Sequence, residues 1–161
     1  MATDFFQIAR RGNETEVACF SDLNDINMVS SDKQTLLHAA IAYRNRAAIT
    51  ALLKLGINID SQDINGATSL QYAITNGDYE STEALLIRGA DISLQDIHGN
   101  TVLWTAVFNA RGQYDFVDLL MRPGASQFNK LKNVHGHSPL DFASQIKDTH
   151  LVRLLSGEGS T

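Results

Sequence analysis

His135-Gly136-His137 is the one pair of histidines in the sequence with metal-ligand spacing. Two imidazoles leave a tetrahedral zinc shell half filled, and no cysteine or carboxylate cluster follows them, so neither a metal nor any other cofactor is expected. The single cysteine, Cys19, excludes an intramolecular disulfide. It is expected to be a small buried or half-buried apolar residue near a helix, not a reactive thiol. The chain has no glycine loop with a lysine to cradle phosphate and no Gly-x-Ser-x-Gly elbow. No enzyme is expected. The residue types left over are those that dominate protein interfaces. Phe108, Arg111 and Tyr114 fall in one short stretch, with Tyr43 upstream.

The elements that position these residues recur at a fixed period. Ser31-Asp32-Lys33-Gln34-Thr35-Leu36-Leu37-His38-Ala39-Ala40 is followed one period on by Ile64-Asn65-Gly66-Ala67-Thr68-Ser69-Leu70-Gln71-Tyr72-Ala73. After another equal interval comes Ile97-His98-Gly99-Asn100-Thr101-Val102-Leu103-Trp104-Thr105-Ala106, and a looser copy runs from Val134 to Ala143. A second landmark checks the register: Gly56, Gly89 and Gly124 each follow a paired-leucine helical run, and Ile26, Ile59 and Ile92 recur at the same period. Glycine takes the left-handed conformation that a helix end needs. A period of this size means stacked units, each too small to bury its own apolar face.

The four copies resemble the Thr-Pro-Leu-His-x-Ala signature of ankyrin repeats, in which a turn and two helices fill each period, and Thr35 to Ala40 is the nearest copy. The chain resembles in particular a small stand-alone ankyrin protein of bacterial type. That resemblance implies an all-α solenoid of about five helix-turn-helix repeats with short hairpin turns. The repeats fall at about 4–29, 30–62, 63–95, 96–132 and 133–155, in a single domain 1–155. Residues 156–161 read as a flexible tail by composition. Thr3 or Asp4 is placed to cap the first helix, and Val17 and Phe20 face inward from the second. The resemblance also implies that Thr35 caps its helix and that the His38 imidazole bonds nearby backbone. Gln71 and Trp104 stand in the histidine's place in the next two repeats and leave that bond open.

One repeat is longer than the rest. Ala73 to Ala106 keeps the period, whereas Ala106 to Ala143 overruns it. About two extra residues are expected between its helices, in Phe108 to Tyr114, and about two in the next connection, Ser126 to Lys132. Insertions in repeat proteins map to loops, often on the binding face. The other reading is drift, with Phe108 and Tyr114 folded back over Trp104.

Ankyrin repeats commonly bind proteins through turn tips and the inner helices. Carried over, that implies tip residues Asp32, Gln34, Ile64, Asn65, Ile97, His98, Asn100, His135 and His137. At the inner-helix ends it implies Tyr43, Asn76, Phe108 and Asn109, and in the insertion Arg111 and Tyr114. Ile64, Ile97 and Val134 share one tip position, where they either meet a partner or pack tip against tip.

The 161 residues are 43% hydrophobic and 19% charged, as in a soluble folded chain. The formal charge of −5 argues against a nucleic-acid partner. No apolar run has membrane-spanning length, so no membrane is expected. The N-terminus lacks a secretory pattern, which makes the cytoplasm the expected location. Gly56 to Asn100 holds seven acids and one base, which would favour a basic protein partner. The free chain is expected to be a monomer. The resulting expectation is a protein-binding module, a stoichiometric inhibitor such as an immunity protein neutralising a toxin. The alternative is a scaffold or adaptor bridging two partners.

Overall fold

A computed structural model of the protein describes residues 5–23, 25–122 and 124–157, the side chains of Phe5, Phe6, Ser21 and Leu23 excepted. Among the described residues there are ten α-helices. They are α1 Phe5–Arg11, α2 Glu14–Leu23, α3 Leu36–Ala42, α4 Arg46–Lys54, α5 Ser69–Thr75, α6 Tyr79–Ile87, α7 Val102–Asn109, α8 Asp115–Met121, α9 Pro139–Gln145 and α10 Thr149–Ser156. A 3-10 turn, Ala125–Phe128, follows α8. The helices come in pairs, as the all-α repeat reading requires. Ser156 is helical and Gly157 caps α10 with a left-handed backbone, so the helix extends into what composition marks as tail. The capping role expected of Thr3 or Asp4 and the rest of the tail, 158–161, lie outside the described residues.

A hydroxyl starts each inner helix from α3 onward. Thr35, Thr68, Thr101 and Ser138 have extended backbones, and each side-chain oxygen accepts from the N–H three residues on. That satisfies one of the donors a helix start leaves free. The reciprocal bond depends on the third residue. Gln71 Oε1 accepts from the Thr68 N–H at 2.9 Å, and Asp141 Oδ2 from that of Ser138 at 3.0 Å. Glutamine therefore replaces the imidazole in the cap. Trp104 does not, because an indole has no acceptor, and α7 keeps only the one-sided cap.

The chain forms two compact units, residues 1–85 and 86–161, with the border inside α6. In the first unit α3 packs against α1, α4 and α5, and α2 packs against α4. Leu36, Leu37, Ile41, Leu52 and Leu70 are its largest fully buried apolar side chains, alongside Leu85 from α6. In the second unit α7 packs against α8 and α9, and α10 against both α8 and α9. Leu103, Leu120, Leu151 and Leu155 fill that core.

Two expectations need correction. Cys19 is exposed, not buried. Val17 and Phe20 do face inward from α2, and two residues beyond Val17 is about 200° round a helix, the solvent side. The insertion is also divided differently. Ten positions separate the starts of α5 and α6, and likewise those of α9 and α10, whereas α7 and α8 are 13 apart. Three residues therefore enter between the helices and one enters the connection that holds the 3-10 turn. The physical reason is the turn's backbone. Arg44, Gly77 and Lys147 each make a one-residue left-handed turn between paired helices, but Arg111 and Gly112 are left-handed in succession, at φ 43° and 86°.

In the first unit the helix pairs are also tied by charge. The Arg46 guanidinium grips both oxygens of Asp78, at 2.9 and 2.6 Å, and reaches Ser81 Oγ at 2.6 Å. Asp78 is fully buried on its side chain and also caps α6 through the Ser81 N–H. Burial alone would raise its carboxyl, but the hydrogen bonds from Arg46 and Ser81 outweigh that and hold it below the ordinary value. Arg46→Met would strand the carboxylate. Because Arg46 is itself partly exposed, the expected loss is about 1–2 kcal/mol, short of the cost for a fully buried pair. Urea titration of the variant measures it.

Candidate protein-binding surface

The turn tips are built on one side-chain acceptor each. In the first unit Asp63 Oδ1 accepts from the N–H groups of Asn65 and Ala67, at 2.9 and 2.8 Å, and Oδ2 accepts from the Tyr72 hydroxyl at 2.9 Å. Ser30 Oγ does part of this job in the preceding turn. The Ile64 N–H donates to the Asp32 carbonyl at 2.8 Å and joins the two tips. In the second unit Asp96 Oδ1 accepts from His98 and Asn100, and Asn133 Oδ1 accepts from His135 and His137. The Val134 N–H donates to the His98 carbonyl at 2.9 Å. Joined backbones leave the tip side chains outside. Ile64 is 56% exposed, Ile97 58% and Val134 65%. Within each unit these backbone bonds join the tips, while Ile64, Ile97 and Val134 stay exposed.

The remaining expected residues fall into two groups. Asp32, Asn65, His98, His135 and His137 are exposed at tips, and Tyr43 and Asn109 at inner-helix ends, with the Arg10 guanidinium 5.4 Å above the Tyr43 ring. All four of Gln34, Asn76, Asn100 and Tyr114 are half-buried, and the side chains of Gln34, Asn100 and Tyr114 are already engaged. Gln34 Nε2 donates to the Tyr72 hydroxyl, the Asn76 carbonyl accepts from Arg44, and Asn100 Oδ1 accepts from Asn133. The Tyr114 hydroxyl donates to Asp148 Oδ2 at 2.9 Å, and its ring lies 4.4 Å from that of His150. The bond to Asp148 pushes the phenol above its ordinary value. Phe108 and Trp104 both pack on Phe142, at 5.5 and 5.6 Å between ring centres, yet Phe108 stays 55% exposed. Arg111 is exposed beside it in sequence. Sequence reasoning missed Phe142. Its signal was its place on the inner helix one repeat after Trp104 and Phe108.

The description of ankyrin repeats, in three copies, matches residues 5–96. The chain belongs to the ankyrin-repeat family. Ankyrin repeat protein 14 of Vaccinia virus is 36% identical over 56 residues, which cover 35% of this chain and 24% of that protein. Ankyrin repeat domain-containing protein OPG023 of Monkeypox virus is 36% identical over 56 residues, 35% of this chain and 8% of that protein. The putative ankyrin repeat protein FPV034 of Fowlpox virus is 38% identical over 54 residues, 34% of this chain and 13% of that protein. The chain thus spans less than a quarter of these curated relatives. An ankyrin-repeat array is a protein–protein interaction module of a typically non-catalytic family. No described helix is long and apolar enough to cross a membrane.

The repeats spend much of their charge on themselves. Of the seven acids between Gly56 and Asn100, Asp63 and Asp78 are buried, and Asp63, Asp91 and Asp96 accept from their own loops. The acidic excess is therefore smaller at the surface than along the sequence. Removing Asp63 and Asp96 would dismantle two turns before it tested any charge.

His38 is the buried histidine of the repeat signature. Its Nδ1 accepts from the Thr35 N–H at 3.2 Å, so Nε2 carries the proton and donates to the Ala67 carbonyl at 3.1 Å. Burial lowers the imidazole below its ordinary value, against opposing pulls from Ala67 and Asp63. The same pocket pushes the Tyr72 phenol up to about 12, through burial and its bond to Asp63. A histidine depressed in the fold takes up its proton more readily when unfolded. Its stabilising effect is full above the unfolded imidazole value and is lost as pH falls from there towards the folded one. The melting temperature should fall between about pH 7.5 and 5.5, spanning the unfolded value of about 6.5. His38→Gln, which copies the Gln71 cap, should flatten the slope at a neutral-pH cost of about 0.5–1.5 kcal/mol for the lost Ala67 bond. An unchanged slope in the variant would place the titration elsewhere.

Proposed function

We propose that this ankyrin-repeat chain binds a protein partner and acts by occupying its surface. The specific reading is a stoichiometric inhibitor, as an immunity protein is towards a toxin. The observation that supports it most is Phe108. A large aromatic ring stands more than half exposed at an inner-helix end, next to the lengthened turn that bears Arg111. Such a ring recovers hydrophobic free energy only when something covers it. The inhibitor reading rests on the simplest use of a repeat array, since occupying a surface needs nothing beyond the repeats themselves. Capture with the tagged chain, followed by cross-linking mass spectrometry, tests it. One tight partner at one-to-one stoichiometry, losing its activity when bound, supports inhibition. Two partners held together on separate surfaces would replace it with scaffolding.

A further inference from the structure

We infer that His98 and His135 form a two-imidazole site for a divalent transition-metal ion. They occupy the same place on consecutive turns of the second unit. Their ring centres lie 6.3 Å apart with planes inclined by 26°. Both side chains are exposed and open to a hydrated ion.

The turns beneath them are locked together. The His98 N–H donates to Asp96 Oδ1 at 2.8 Å and the His135 N–H to Asn133 Oδ1 at 3.0 Å. The Val134 N–H donates to the His98 carbonyl at 2.9 Å, and Asn133 Nδ2 to Asn100 Oδ1 at 2.9 Å. The two backbones are thus held in register, and ordering the site requires fixing only the side-chain torsions. Metal–nitrogen bonds of about 2.0–2.1 Å put two imidazoles on one ion with ring centres on the order of 4.5–6 Å apart. The observed 6.3 Å lies just beyond that range with the rings stacked, so the side chains must turn before both nitrogens face one ion.

The donor set selects the ion. Both Asp96 oxygens accept from its own loop, from His98, from the Asn100 N–H and from Asn100 Nδ2, so that carboxylate is occupied. Among the described residues no group of three or more His, Cys, Asp or Glu is placed to hold an ion, so water completes the shell. Two imidazole nitrogen ligands favour Cu²⁺ over Ni²⁺ and Zn²⁺. They do not suit Mg²⁺ or Ca²⁺, which take oxygen.

Isothermal titration of the untagged full chain with CuCl₂, NiCl₂, ZnCl₂ and MgCl₂ tests the site. A Cys19→Ser background keeps the exposed thiol from competing. The expected result is one ion per chain for the three transition metals and no heat from magnesium. His98→Asn and His135→Asn should each weaken binding by at least about tenfold, a lost ligand costing no less than a lost outer-shell partner. Circular dichroism confirms that both variants fold. The inference is overturned if no transition ion binds or if His98→Asn binds as the parent does. It is equally overturned if His137→Asn removes binding, since the ion would then sit on the local pair His135 and His137.

Discussion

Leu70→Ala should lower the stability of the folded chain by about 2–5 kcal/mol, the range for a leucine truncated in a packed core. Leu70 is 1% exposed and sits in the first turn of α5, directly behind the Thr68 cap. Helix α5 packs against α3, and a single repeat cannot bury that face alone. At this chain length the loss corresponds to a fall in melting temperature of roughly 5–15 °C. Ile87→Ala is the matched control. Ile87 is 78% exposed, and its truncation should stay within about 0.5 kcal/mol. Equal effects from the two variants would mean that α5 presents a different face to the core.

Phe108→Ala should weaken partner binding by about 2 kcal/mol or more, roughly thirtyfold, if the inner-helix end of the longer repeat is the anchor. The structure also sets the cost to folding. Phe108 touches Phe142, and losing one offset aromatic pair at a half-exposed site costs about 0.5–1.5 kcal/mol. Arg111→Ala separates the two effects. Arg111 is exposed, so any loss of affinity in that variant belongs to recognition. Surface plasmon resonance on the captured partner, alongside thermal melts, reads both quantities. A Phe108 variant that melts lower but binds normally would reduce the ring to packing and move the contact elsewhere.

The same stretch shows how far sequence reasoning reaches. Phe108, Arg111 and Tyr114 look alike as interface residues when counted along the chain. Their fates differ because the turn that holds them has two left-handed residues in succession. Tyr114 is carried to Asp148 and His150 and becomes half-buried, while Phe108 stays more than half in water on Phe142. Side-chain direction after an irregular turn depends on backbone torsions that the one-dimensional pattern does not carry. Cys19 is a similar case. Its type predicts burial, but its angular place on α2 puts it outside.

The repeated signature in the sequence pointed to the family, and that resemblance implied the paired helices and the Thr35 cap. Each of these follows from local rules: a cap needs Ser or Thr at one place, a tip needs an acceptor two residues before its free N–H, and an inward face needs leucine at helical spacing. Only the tertiary structure decided which polar residues were consumed. Asp63 and Asp78 read as surface acids along the chain and are buried partners of Tyr72 and Arg46 in the fold. His98 and His135 read as equivalent tip residues on separate repeats, and in the fold they stand ring to ring. The Arg46–Asp78 and His98–His135 pairings arise between neighbouring repeats, where the chain's register in space, not its order, brings the side chains together.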